Sequence, residues 1–381
     1  MLKLRAPSSS SSGANGHGGH HGLTGGKITN TRAFIHILKS YIGSGVLGLP
    51  YAYAQGGMLA AMAGMLTVSV MSTLCVFLLL DCKRKLTGRV RTFGDVGYGA
   101  LGRTGHILVE LTVVLSQLGF SCAYLIFVSQ NLFLYLKVAL TSEASIVWAL
   151  VPVLVALSWI PSLDVLAPFS VLALALIFSG LGAVAWHAAP LIGSGPDVQT
   201  YIPSTLPIFI GMAIYAFEGI GLALPIQNQM KHPESFKTVW AWGMIVVTST
   251  YIVFGAFCYS CYGDEVPSII TMVLPNNVTS LLVKFGLSIA LIFTYPIAMF
   301  PVFEIVEDSW APSLFKSPSP LPLPGGPQSE DIHNLPGAVA ALWRRRAARF
   351  VLVLITAVAA VSIPDFSIVM AFIGSVPSNI M

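Results

Sequence analysis

The sequence predicts an all-α polytopic membrane protein, and three observations carry that prediction. Only 20 basic and 16 acidic side chains occur among 381 residues, a charged fraction of 9%, against roughly 25% in soluble domains. The hydrophobic fraction is 55% and the mean hydropathy is +0.78. Apolar runs near the spanning length of about 20 residues recur from residue 33 onward. A soluble globule needs more charge to cover its surface, so a cytosolic enzyme, a nucleic-acid-binding protein and a disordered scaffold are excluded. The lipid bilayer is the outer solvent. The alternating ten-residue segments of a β-barrel are missing, which leaves helices as the structure that satisfies its own backbone in lipid.

The first 32 residues are of another kind. Rich in Ser, Gly and His, they read as a disordered tail at 1–32, without the apolar core of a signal peptide. His17, His20 and His21 belong to that tail rather than to a metal site, and no metal or cofactor is expected anywhere in the chain. Spans follow at 33–55, 58–80, 106–134, 145–162, 165–187, 205–226, 239–262, 278–302 and 347–363, and a partial tenth begins near Asp365. Together, residues 33–381 form the transmembrane domain.

Lysines and arginines set the orientation. Lys3, Arg5, Lys27 and Arg32 lie in the tail, and Lys83, Arg84, Lys85, Arg89, Arg91 and Arg103 follow the second span. Lys231 and Lys237 follow the sixth, and Lys316, Arg344, Arg345, Arg346 and Arg349 follow the eighth. The alternate loops carry almost none beyond Lys137, so the N-terminus is expected in the cytosol. Residues 304–346, with SPSPLPLPGGP inside, read as a Pro-rich cytosolic linker. The triplet Asn277-Val278-Thr279 is an N-glycosylation pattern on the opposite side. The five cysteines, Cys258 and Cys261 included, lie within or beside apolar runs and imply no disulfide framework.

The most informative feature is an internal echo. The first span holds IGSGVLGLP (42–50) and the sixth holds EGIGLALP (218–225). Glycines followed by a proline inside an apolar helix favour an unwound segment. Such backbone is tolerated at membrane depth only where protein buries it or it lines a watery cavity. Helices 1 and 6 lie five apart, so the second copy enters the membrane inverted. This is the five-plus-five inverted repeat of many secondary transporters, with the site between the two broken helices. Free N–H groups near Ser44-Gly45 suit a carboxylate, and free carbonyls near Phe217–Gly219 suit an ammonium or a cation. A zwitterion, hence an amino acid, fits both.

Ionisable groups inside the bilayer are functional candidates. Glu218 lies at the second break, and His36 lies seven residues before Gly43, expected two turns below the first break on the same face and suited to carry a proton. Lys284 and Glu110, nearer helix ends, are read as snorkelling or structurally paired. On the third span Gln117, Ser121 and Tyr124 share a face and line the site or form an interhelical seam.

FIHILKSYIGSGVLGLPYAYAQGG resembles the helix 1 signature of the amino acid/auxin permease superfamily, and YAFEGIGLALPIQNQMKHP resembles its helix 6 signature. RTFGDVGYGALGRTGHILVELTVVLSQLGFSCAYLIFVSQNL is similar to the helix 2–3 region of the plant vacuolar amino-acid transporter branch and its proton-assisted relatives. The resemblance runs from Thr31 to the end of the chain. It implies a LeuT-like fold of eleven helices and proton-driven movement of small neutral amino acids such as alanine, proline and glycine. It also implies substrate contacts at Ile42, Gly43, Ser44, Gly45, Phe217, Glu218 and Gly219, a coupling role for His36, and a vacuolar or lysosomal membrane. Against the family pattern helix 10 is short and helix 11 has no counterpart, so a C-terminally truncated form that inserts but transports poorly is expected. The competing class is an amino-acid-sensing receptor without appreciable flux. An intramembrane enzyme finds no support, since neither HExxH nor paired intramembrane aspartates occur.

Overall fold

The computed structural model describes residues 28–86, 92–136, 141–160, 167–193, 195–315 and 336–380. The tail residues 1–27, the loop positions Arg89, Arg91 and Lys137, and linker residues 316–335 lie outside them. The described residues are overwhelmingly helical and contain no strand, only an isolated bridge between Ile28 and Met230.

The first span is broken, as its glycines predict. Helix α1 (Asn30–Tyr41) is capped by Thr29 and ends where Ile42 turns extended, and α2 (Gly45–Gly56) resumes after Ser44. Gly57, at φ 82°, turns the chain into α3 (Met58–Lys85). A Cβ at Gly57 would sit 2.6 Å from Tyr201 N, so this turn admits no side chain. Helix α4 (Phe93–Leu136) bends at Gly102, at φ 64°. Its short first arm folds back on the second, with His106 Nδ1 3.1 Å from Gly94 O.

Helix α5 (Glu143–Ser158) is the shortest single-piece span and starts on the Ser142 cap, and α6 is Ala167–Ala188. The sixth span is broken into α7 (Leu206–Ala216), a 3₁₀ turn at Ile220–Leu222 and α8 (Ala223–Gln229). Helices α9 (Phe236–Tyr262) and α10 (Val278–Glu304) complete the long spans. Asn277 caps α10 by accepting from Ser280 N at 2.8 Å, so the amide of the glycosylation triplet is already engaged in the fold.

A π-helical turn (Ile305–Trp310) leads to α11 (Pro312–Phe315), and α12 is Pro336–Ser362. The described flanks of the expected linker are therefore helical. Asp365 then caps α13 (Phe366–Ser375), bent 117° from α12, and α14 is Pro377–Ile380. Among the described residues six helices are long and apolar enough to cross a membrane, or seven if the bent α12–α13 pair is one span. The broken first span and the 16-residue α5 lie at two further predicted spans, and the helix expected to begin near Asp365 is α13, the second arm of the bent pair.

Packing sorts the helices into two groups. Helices α1, α2, α3, α7 and α9 pack on one another, and α4, α5, α10 and α12 do the same, with α6 against α10 and α9. Helix α13 bridges the groups by packing on both α7 and α4. Its closest approach is backbone to backbone, since a Cβ on Gly211 would lie 2.5 Å from Ala371 O. Small residues permit this, and in lipid such close packing rather than a hydrophobic drive holds helices together.

Polar ties close both ends of the first group. At the basic end Lys83 Nζ donates to Gln227 and Asn228 at 2.8 and 2.6 Å, and Lys237 donates to Asp81 at 2.8 Å. Ile28 pairs its backbone with Gln229 and Lys231 there. At the opposite end the 199–205 segment hydrogen-bonds across the α2–α3 turn, with Thr205 Oγ1 donating to Gln55 O at 2.6 Å.

Candidate substrate site at the two helix breaks

The breaks meet at one level and are cross-tied. Ser44, at the first break, lies 3.2 Å from the hydroxyl of Tyr215, one residue before the end of α7. In the reverse direction the Tyr41 ring, at the end of α1, covers Gly219, where a Cβ would meet it at 2.7 Å. Each half-helix thus sends a tyrosine to the other's break. Both tyrosines are buried.

Helix α2 starts without a side-chain cap, so its first N–H groups keep their capacity to donate, which P-loops and other anion sites exploit at helix N-termini. Carbonyls at the ends of α1 and α7 face hydroxyls from neighbouring helices. Tyr251 of α9 donates toward Tyr41 O at 2.5 Å and lies 3.2 Å from Ala216 O. Ser72 of α3 donates to Phe217 O at 3.3 Å. Phe217 packs between the rings of Tyr41 and Tyr251, with centroids 6.5 and 5.2 Å away.

The glycines divide by what surrounds them. A Cβ on Gly45 would lie 3.2 Å from Ala216 Cα and 3.4 Å from the Tyr215 ring, so this glycine lets α2 and α7 approach. By contrast, a Cβ on Gly43 would meet nothing nearer than Tyr41 O at 4.0 Å, and one on Gly221 would meet nothing. Those two present backbone to open space.

Helix α4 supplies the wall. Phe120 packs on Tyr215 with ring centroids 4.6 Å apart and planes tilted by 40°. Ser121 is fully buried and its hydroxyl has no partner among the described residues. Gln117, one turn earlier, and Tyr124 are half-buried. Ile42, Ser44 and Phe217 are buried, whereas Glu218 keeps part of its surface accessible near the Ser378 hydroxyl of α14.

His36 stands apart. The buried face of α1 is Ala33, Ile37 and Tyr41, packed on α9, and His36 is exposed on another side. The seven-residue register to Gly43 does not hold, because the helix ends at Tyr41 and Ile42 turns to ψ 90°. Lys284 is a correction of another kind. It does not snorkel: it is 1% exposed, with Nζ 5.7 Å from the centroid of the Tyr135 ring. Glu110 is structurally paired as expected, accepting from Ser309 at 2.8 Å and Trp310 at 3.1 Å and lying 3.0 Å from His106. Sequence reasoning missed Tyr41, Ser72, Phe120, Tyr215 and Tyr251. For two of them a signal existed, because YIGSG and YAFEG both open on the tyrosine that reaches the opposite break.

These features define a multi-pass helical membrane protein with two broken, mutually tied helices. The chain belongs to the transmembrane amino acid transporter protein family, whose match covers residues 26–380. That is a family of transporters and not of enzymes. It is 36% identical over 296 residues to amino acid transporter ANT1 of Arabidopsis thaliana, covering 74% of this chain and 68% of that protein. Amino acid transporter AVT3C of the same plant is 30% identical over 370 residues, covering 90% of this chain and 78% of its own. Vacuolar amino acid transporter 3 of Schizosaccharomyces pombe is 31% identical over 298 residues, covering 76% of this chain and 45% of that longer protein.

Proposed function

We propose that this protein is a secondary active transporter that moves small neutral amino acids by alternating access, coupled to protons, on a LeuT-like inverted five-plus-five repeat. The observation that carries the reading is the pair of breaks, with an uncapped helix N-terminus and two half-helix C-termini at one level. An amino acid's carboxylate and ammonium find complementary groups there. The packing groups support the repeat. Helices 1, 2, 6 and 7 form one group and helices 3, 4, 8 and 9 the other, so matching members of each five-helix half fall together.

Under this reading Gly43, Ser44, Gly45 and Ile42 receive the carboxylate end, Phe217, Glu218 and Gly219 the ammonium end, and Gln117, Ser121 and Tyr124 the side chain. The basic end of the bundle faces the cytosol. The vacuolar relatives from yeasts favour a vacuolar membrane. Reconstitution in proteoliposomes tests the whole reading: alanine, proline or glycine applied across a pH gradient should evoke inward current and accumulate, and a protein that binds them saturably without flux is a receptor instead.

His36 and Glu218 are the proton-carrying candidates. His36→Ala should abolish proton-driven accumulation while sparing exchange of labelled for unlabelled substrate, because the imidazole lies five residues, about 8 Å of helix, before the end of α1. Accumulation at the wild-type level would assign His36 to packing at the membrane edge.

A further inference from the structure

Two negative helix ends converge on one buried hydroxyl. Tyr41 and Ala216 are the last residues of α1 and α7. The final carbonyls of a helix lack intrahelical partners and carry about half a negative charge between them. Tyr251 of α9 is 0% exposed, and its hydroxyl lies 2.5 Å from Tyr41 O and 3.2 Å from Ala216 O. A phenol has one proton, so the two carbonyls share it, with the shorter bond to α1. Ser72 of α3 answers a third carbonyl, Phe217 O, at 3.3 Å. Among the described residues no lysine, arginine or histidine hydrogen-bonds to these carbonyls, and no group of His, Cys, Asp and Glu is arranged to hold a metal.

Converging half-helix C-termini are the arrangement that coordinates a monovalent cation in broken-helix transporters. Here the place between them is taken by a hydroxyl dipole whose positive end points at both. We propose that Tyr251 is a built-in replacement for a metal cation: it holds the two negative helix ends together and makes substrate binding independent of sodium and potassium. This rests on the transport reading above and extends it to a residue outside the broken helices. Tyr251 is a positioning residue. Each carbonyl has a second lone pair, so a substrate ammonium joins the hydroxyl at the ends of α1 and α7 rather than displacing it.

Tyr251→Phe removes the hydroxyl and keeps the ring that packs on Phe217. In this variant the helix ends face each other without a donor, and a small cation becomes the group that fits between them. Alanine binding to purified protein is compared in sodium, potassium and N-methylglucamine chloride at one ionic strength. Wild type should bind alanine equally in all three. Y251F should bind about tenfold more weakly in N-methylglucamine, the net worth of the one shared hydrogen bond, and regain most of that in sodium. Unchanged, salt-insensitive affinity in Y251F overturns the proposal.

Melting temperature supplies a readout that needs no substrate. Sodium should raise the melting temperature of Y251F and leave that of wild type unchanged, and the lack of that difference overturns the proposal even where no amino acid binds. A protein that shows the melting difference but binds neither alanine, proline nor glycine refutes the transport reading alone. If Y251F does not fold, wild type decides: a sodium- or potassium-dependent rise in its melting temperature or affinity overturns the proposal, and a flat response supports it.

Discussion

Valine at position 45 should abolish amino-acid uptake at undiminished membrane abundance, while alanine there leaves a reduced but measurable rate. The difference follows from what a side chain would meet. The first carbon lands 3.2 Å from Ala216 Cα and 3.4 Å from the Tyr215 ring, tight but open to a shift of a few tenths of an ångström. The two methyl groups of valine extend beyond it into the last turn of α7, which is backbone and does not yield. Helices α2 and α7 must then separate where Ser44 and Tyr215 meet at 3.2 Å, and the site loses its carboxylate end. Gly43→Ala is the control, since its side chain enters open space and should alter substrate affinity without parting the helices. Uptake by G45V near the wild-type rate, with loss in G43A, would move the essential backbone approach from Gly45 to Gly43.

The breaks themselves were legible because glycine and proline act locally. Unwinding is expected within 42–50 and 218–225; the helices stop at Tyr41 and Ala216 and resume at Gly45 and Ala223, so the first break is confined to the start of its motif and Pro50 lies inside α2. A helix is expected to begin near Asp365, and there the carboxylate accepts from Ser367 N at 2.8 Å. What the chain did not reveal is which face of an apolar helix meets which neighbour. Tyr251 is one of three tyrosines in α9, and in a helix hydrophobic on all sides no periodicity marks the one that reaches the breaks. His36 shows the reverse limit: a heptad argument needs an unbroken helix, and this one ends five residues later. The short arm of α4 escaped because Phe93–Leu101, with three glycines and Asp95, carries no sustained apolar run.

Arg349→Ala should cost about 3 kcal/mol of stability, the lower end of the penalty for breaking a buried ion pair, because Glu307 loses its closest partner and keeps only Arg345 Nε at 3.7 Å. Glu307 sits on the π-helical turn that ends α10, only 5% exposed. Arg349 of α12 meets it as a fork, with Nε 2.7 Å from Oε1 and Nη2 3.3 Å from Oε2. The same guanidinium donates to Ser158 O at the end of α5 at 2.9 Å and lies over the Phe303 ring of α10. One side chain therefore joins three helices of the second packing group. The turn's geometry makes this possible, because its wider winding aims Glu307 at α12 while Ser309 and Trp310 reach Glu110 of α4. A regular α-helical continuation would place these residues at different angles. Melting of purified protein, or its yield in membranes, measures the loss in R349A. Glu307→Gln should cost less than R349A, and the double variant E307Q/R349M should recover much of the loss, because the buried carboxylate is then neutral and Arg345, the charge that remains, is 42% exposed. Should the double variant melt as low as R349A, the loss would belong to the contacts with Ser158 and Phe303, and the ion pair would be incidental to holding the second helix group together.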